Sequence, residues 1–133
     1  MDVKSSVAVL GAALLLAGAR ADAHHAFSAE FDVKQPITLT GTVTKIEMLN
    51  PHGWIHIEVK GPGNKVTTWR IETGSPNALA RRGVKKNFLP IGQTVIVTGF
   101  RAKDMSFAAA GESVKLPDGR SFAVGSSQGQ DSR

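Results

Sequence analysis

Alternation of apolar and polar residues is the main pattern of this chain from residue 37 onward. In its first stretch, Ile37, Leu39 and Val43 alternate with threonines, a period of two that predicts a β-strand. The apolar parity then slips by one position at Ile46, which predicts a β-bulge near Gly41. Similar alternation predicts further strands over residues 54–60, 65–72, 93–101, 107–116 and 120–124.

One short helix is predicted between the third and fourth strands. Ser75 can cap its first turn, Pro76 fits the first helical position, and Gly83 suits a left-handed residue at the end. Three strands, a short helix and then two or more strands is the order of a five-stranded OB-like barrel, an all-β fold with small α content. A small β-sandwich is the alternative.

The first twenty residues follow a different pattern. Lys4 precedes an apolar run over residues 7–19, which is too short to span a bilayer and is followed by an Ala-x-Ala cleavage pattern. This is typical of a signal peptide, cut after Ala21 or after Ala23, so we expect an exported protein, periplasmic or secreted. The predicted organisation is a signal peptide over 1–23, an N-terminal arm over 24–36, the barrel over 37–124 and a disordered tail over 125–133.

Composition narrows the function classes. The chain has a net charge of +5, and removing residues 1–23 takes away two basic and two acidic residues, so this charge is kept. Export makes nucleic acid a poor partner, and no second apolar segment is long enough to span a membrane. The absence of cysteine excludes disulfides, thiolate metal sites and a cysteine nucleophile. No nucleophile-elbow serine or phosphate-binding glycine loop occurs, so we expect a binding module and not an enzyme.

The four histidines carry the main chemical hypothesis. Cleavage after Ala23 would free His24-His25, whose terminal amine and imidazoles can chelate a metal ion. Cleavage after Ala21 would leave His24 third from a free amine, an arrangement that resembles the amino-terminal copper/nickel motif. His52, in the turn after the first strand, is the better third ligand, because His56 lies about 13 Å further along an extended chain. Tetragonal nitrogen ligands favour a copper-like ion over zinc. The alternative is that these histidines bind no metal.

A second surface offers a different function. Trp54, His56 and Arg70 are predicted on the outward face of the second and third strands, where OB folds often bind ligands. They would make the protein a metal-free envelope adaptor for a glycan, peptide or protein. Structural roles compete with this reading, since Arg70 can pair across strands with Glu58 or Glu72. The basic run over residues 81–86 likewise either docks on an anionic surface or is a solvated helix end.

Several short motifs occur together along the chain: His24-His25-Ala26-Phe27, Glu30-Phe31-Asp32, Leu39-Thr40-Gly41-Thr42-Val43, Asn50-Pro51-His52, Gly74-Ser75-Pro76-Asn77, Arg82-Gly83 and Thr98-Gly99-Phe100-Arg101-Ala102-Lys103-Asp104. The set resembles a family of small exported bacterial proteins known as a domain of unknown function. The resemblance covers nearly the whole mature chain and implies no activity, substrate or site residues. Residues 39–43 are also similar to the first strand of exported bacterial OB-fold proteins linked to stress responses, which is a likeness of fold.

Overall fold

A computed structural model describes residues 26–126 of the chain. The predicted signal peptide, His24, His25 and most of the predicted tail, residues 127–133, lie outside the described residues. The described part is mostly β-strand with little helix, as the alternation predicts. It contains no helix that is long and apolar enough to cross a membrane.

The first strand, β1, spans Phe31–Glu47 and begins earlier than the alternation predicts. Within residues 31–36, which the sequence assigns to an arm, Phe31 pairs with Ala102 and Pro36 with Phe100 of β4, and a register shift separates the two pairs. Phe31 is buried, whereas the residues between the two pairs are mostly polar and show no alternation that would predict a strand. The register of β1 with the next strand shifts between Val43 and Lys45, which is the predicted bulge.

The remaining elements follow the predicted order. They are β2 (Trp54–Lys60), a single 3-10 turn (Pro62–Asn64), β3 (Val66–Glu72), α1 (Pro76–Arg81), β4 (Thr94–Ala102), β5 (Ala108–Lys115) and β6 (Ser121–Ala123). Their bounds agree with the sequence prediction to within one residue at each end. The turn residues that separate these strands, mostly Gly, Pro and Asn, account for that agreement.

The sheet closes on itself. Its strands follow the order β3-β2-β1-β4-β5-β6, and β3 also pairs with β5 in parallel, with Arg70 opposite Ala108. Five strands therefore form a ring, with β6 added to β5 and α1 placed between β3 and β4. This confirms the predicted all-β architecture with small α content.

Two apolar clusters hold the ring together. The larger one fills its interior with alternate residues of the strands, including Val43, Ile57, Ile71 and Val97, together with Leu79 from α1. The smaller one joins Phe31, Ala102 and Ala110 and carries Phe27 and Ala108 at its margin.

Local signals at α1 behave as the sequence predicts. The Ser75 hydroxyl accepts a hydrogen bond from the Ala78 backbone N–H at 3.2 Å, and Gly83 has a φ of 78°. Arg82 then donates a hydrogen bond from Nη1 to the Gly125 carbonyl. Gly125 is buried and is one of the residues that the sequence assigns to the tail.

Candidate functional site

His52 lies at one end of the closed sheet, in the turn between β1 and β2. Its Nδ1 is 3.3 Å from the Thr73 carbonyl oxygen and 3.4 Å from Glu72 Oε1. Backbone hydrogen bonds fix both sides of this contact, because Gly53 donates to the Gly74 carbonyl at 3.2 Å and Thr73 donates to the Gly53 carbonyl at 2.9 Å. The turn that carries His52 is therefore tied to the end of β3.

The two contacts of His52 indicate which ring nitrogen carries the proton in the neutral form. Both acceptors face Nδ1, so the neutral ring is best satisfied with its proton on that nitrogen. Nε2 then carries a free lone pair and makes no hydrogen bond to any described residue. The side chain is 32% exposed, so the His52 ring is accessible from solvent at this end of the closed sheet.

Glu72 is the buried acid of this site, with 9% of its surface exposed. Burial raises the pKa of Glu72 above its ordinary value. The charge of His52 opposes that rise, the nearby carboxylate of Glu30 adds to it, and Arg70 opposes it. The alternation of β3 places Glu72 on the outward face with Arg70, and its burial is a finding of the structure.

An N-terminal segment packs beside Glu72. Residues 26–30 are helical, and the Phe27 ring lies 5.5 Å from the Phe31 ring. Lys103 holds this segment with two hydrogen bonds, from its backbone N–H to the Glu30 carbonyl at 2.9 Å and from Nζ to the Ser28 carbonyl. Phe27, Glu72 and Thr73 line the same small cavity, so Phe27 lies close to the two residues that contact His52.

The structure keeps His56 apart from this arrangement. Its Nε2 is 2.7 Å from Glu47 Oε2, and Glu47 also forms an ion pair with Lys45 at 2.8 Å. Hydrogen bonds from Lys45 and then His56 hold the pKa of Glu47 below its ordinary value. His56 is thus engaged on the outer face of β1 and β2.

His24 and His25 lie outside the described residues, so the structure does not place two of the three predicted metal ligands. Within residues 26–126, no group of three or more histidine or acidic side chains is arranged to hold a metal ion. The described residues therefore do not form a metal site by themselves.

The predicted ligand face does bring Trp54 and Arg70 together. The Arg70 guanidinium carbon lies 4.3 Å from the centre of the Trp54 ring, a cation–π contact. Arg70 therefore stacks on Trp54, and its charge also acts on Glu72, one of the two acidic residues predicted to pair with it. Both residues line an open groove of about 500 Å³ together with Glu30, Lys103 and Asp104.

Sequence reasoning missed the part that Glu72, Glu30 and Lys103 play here. The pairing of Trp54 with Glu72 at the ends of β2 and β3 is the signal that could have found Glu72, because it places the acid next to the turn containing His52. Lys103 carried no such signal, since its partners are backbone carbonyls of the arm.

The fold and site define a small all-β protein with a closed sheet and a histidine–carboxylate pair at one end. A family model for a family of unknown function (DUF6152) matches residues 12–111, and the chain belongs to this family. Comparison with curated proteins and with solved structures finds no match. Neither the family nor the described residues show a catalytic group.

Proposed function

We propose that this protein is an exported binding module that holds a copper-like metal ion through its mature amino terminus, His24, His25 and His52. The observation that carries the proposal is the environment of His52. Metal-binding histidines commonly donate their other ring N–H to a carboxylate or a backbone carbonyl, which fixes the ring and makes the ligating nitrogen more basic. His52 has both kinds of acceptor within 3.4 Å of Nδ1.

Chain geometry supports the remaining ligands. His25 is two residues from Phe27 and His24 is three, so their Cα atoms lie within about 7 Å and about 11 Å of that of Phe27. Phe27 itself shares a cavity with Glu72 and Thr73, the residues that contact His52. The two histidines and the new amine are therefore bonded to a segment that is held at the His52 end of the barrel.

The donor chemistry favours copper. An amine and imidazoles form a nitrogen-rich set that suits the tetragonal geometry of Cu(II), and the chain has no cysteine for a thiolate zinc site. Glu72 contacts His52 through Nδ1, so its role is to orient the ring and balance charge beside the ion. The function proposed is binding, with no turnover step.

The test uses mature protein that its host has exported and cleaved, without tags. Its intact mass fixes the cleavage site, and Cu(II) titration followed by electron paramagnetic resonance measures the site. We expect one tight, nitrogen-rich signal that weakens in both His24→Ala and His52→Ala, while His56→Ala serves as the matched control and leaves it unchanged. Binding no tighter than that of a short His-His peptide would refute the proposal.

A second candidate is the metal-free adaptor. It is favoured by the groove of about 500 Å³ in which Trp54 and Arg70 stack beside the arm. A glycan, peptide or envelope protein bound there, with His56 at the neighbouring strand position, would be lost in Trp54→Ala and Arg70→Ala and kept in His24→Ala. A pull-down from envelope extract with these three variants separates the two functions.

A further inference from the structure

A second groove of about 500 Å³ is bordered by the end of β1, by α1 and by the loop that follows α1. Its apolar lining comes from Met48, Pro76, Leu79, Ala80 and Val84. Lys85 and Lys86 complete the lining. Apolar walls with a few polar groups, enclosing 300–1,000 Å³, are typical of small-molecule sites.

The loop that carries the two lysines is held in place. Gly83, with its φ of 78°, reverses the chain after α1, and the Val84 N–H then donates to the Leu79 carbonyl at 3.0 Å. Arg82 anchors the same corner by its hydrogen bond to the Gly125 carbonyl. Lys85 and Lys86 follow directly, so their positions beside the groove are set by the backbone.

The charged residues that line this groove are both basic. Lys85 and Lys86 are exposed and form no ion pair with any described residue. The chain contains no acidic residue between Glu72 and Asp104, although it contains six basic residues in that interval. The positive charge beside the apolar walls is therefore not balanced by neighbours along the sequence.

We propose that this groove binds a fatty acid, with the alkyl chain on the apolar walls and the carboxylate at Lys85 and Lys86. The apolar surface supplies affinity by removing methylene groups from water, at about 0.8 kcal/mol for each one buried. The two ammonium groups discriminate for an anionic head. This site shares no residue with the proposed metal site.

The experiment compares decanoate with 1-decanol, which has the same alkyl chain without the charge, by titration calorimetry on metal-free mature protein below the micelle concentration. We expect decanoate to bind, and to bind more tightly than decanol. The double variant Lys85→Glu/Lys86→Glu should weaken decanoate binding by about tenfold or more, and added salt should weaken binding to the wild type. Lys65→Glu, an exposed lysine in the β2–β3 turn, is the matched control and should bind as the wild type does.

A second variant tests whether decanoate binds in this groove. Ala80 is exposed and lines the groove, so Ala80→Phe fills part of it from the surface without opening the core. Unchanged decanoate binding in Ala80→Phe, or equal binding of decanol and decanoate, would overturn the proposal. Binding to phosphatidylglycerol vesicles with none to decanoate would also overturn it, and would point to a membrane surface as the ligand.

Discussion

Replacing Phe27 by alanine tests whether the docked part of the arm, residues 26–30, contributes to the metal site. The Phe27 ring joins the small apolar cluster of Phe31, Ala102 and Ala110 and holds the segment from which His25 extends. If His52 and the terminal amine share one ion, the arm must dock for both to reach it. If the terminus binds copper by itself, docking is irrelevant to affinity.

The size of the effect follows from the contacts that are lost. Phe27 is half-buried, so it contributes about half of the 1.5–3 kcal/mol of a fully buried apolar side chain, or about 1 kcal/mol. Its ring contact with Phe31 at 5.5 Å adds about 1 kcal/mol. Apparent affinity falls with the fraction of protein in the binding-competent state, so a loss of about 2 kcal/mol weakens Cu(II) binding by at most about 30-fold.

The assay is Cu(II) titration of mature Phe27→Ala protein, with hydrogen exchange of residues 26–30 to confirm that the arm has loosened. Phe122→Ala is the matched control, because Phe122 is also half-buried and packs on Phe88 with ring centres 5.1 Å apart, in a different part of the molecule. The control should keep its copper affinity. An arm that exchanges faster while copper affinity stays at the wild-type value would refute the shared site.

Three further predictions concern the stability of the fold, each measured by urea unfolding. Burial raises the pKa of Glu72, so the stability contributed by the protonated carboxyl is fully present below the ordinary value of 4.5 and is lost as pH rises through the higher folded-state pKa. Glu72→Gln should therefore remove this decline in the free energy of unfolding with rising pH, and an unchanged pH profile would contradict the prediction. Gly53→Ala places a Cβ 2.6 Å from Thr73 Oγ1 and should cost about 1–3 kcal/mol, whereas Gly61→Ala, whose Cβ meets its nearest atom at 3.5 Å, should be nearly neutral. Leu79→Ala should cost about 2–5 kcal/mol because Leu79 is 1% exposed, and a loss below 1 kcal/mol would show that the core can close around the space.

The strands and the helix were predictable because their signals are local. β2 shows strict alternation between Trp54 and Lys60, and its odd-numbered members Ile55 and Ile57 are buried as the pattern indicates. The cap at Ser75 and the positive φ of Gly83 likewise depend on nearby chain only. The parallel pairing of β3 with β5 joins residues far apart in sequence, and no local pattern specifies it.

The site was predictable only in part, for the same reason. The Asn-Pro-His turn marked His52 as a candidate ligand from the sequence. Glu72 is buried beside Phe27 of the N-terminal segment, although the alternation of β3 assigns Glu72 to the outer face. The arm in turn docks through Phe31, whose partner Ala102 is a long way along the chain. The exposure of a residue at the end of a strand therefore depends on tertiary packing, which the local sequence pattern does not specify.

A layer of backbone hydrogen bonds lies between the two proposed sites, and this determines which variants can tell the sites apart. Gly53 pairs with Thr73 and Gly74, and Gly74 donates to the Val124 carbonyl at 2.9 Å, so the turn of His52, the start of α1 and the end of β6 form one hydrogen-bonded unit. A change inside this layer would disturb the metal site and the apolar groove together. His52→Ala for one site and Ala80→Phe for the other change side chains only and keep the backbone hydrogen bonds of this layer. Loss of copper binding in the first with decanoate binding kept, and the reverse in the second, is the pattern that two independent sites on a shared scaffold require.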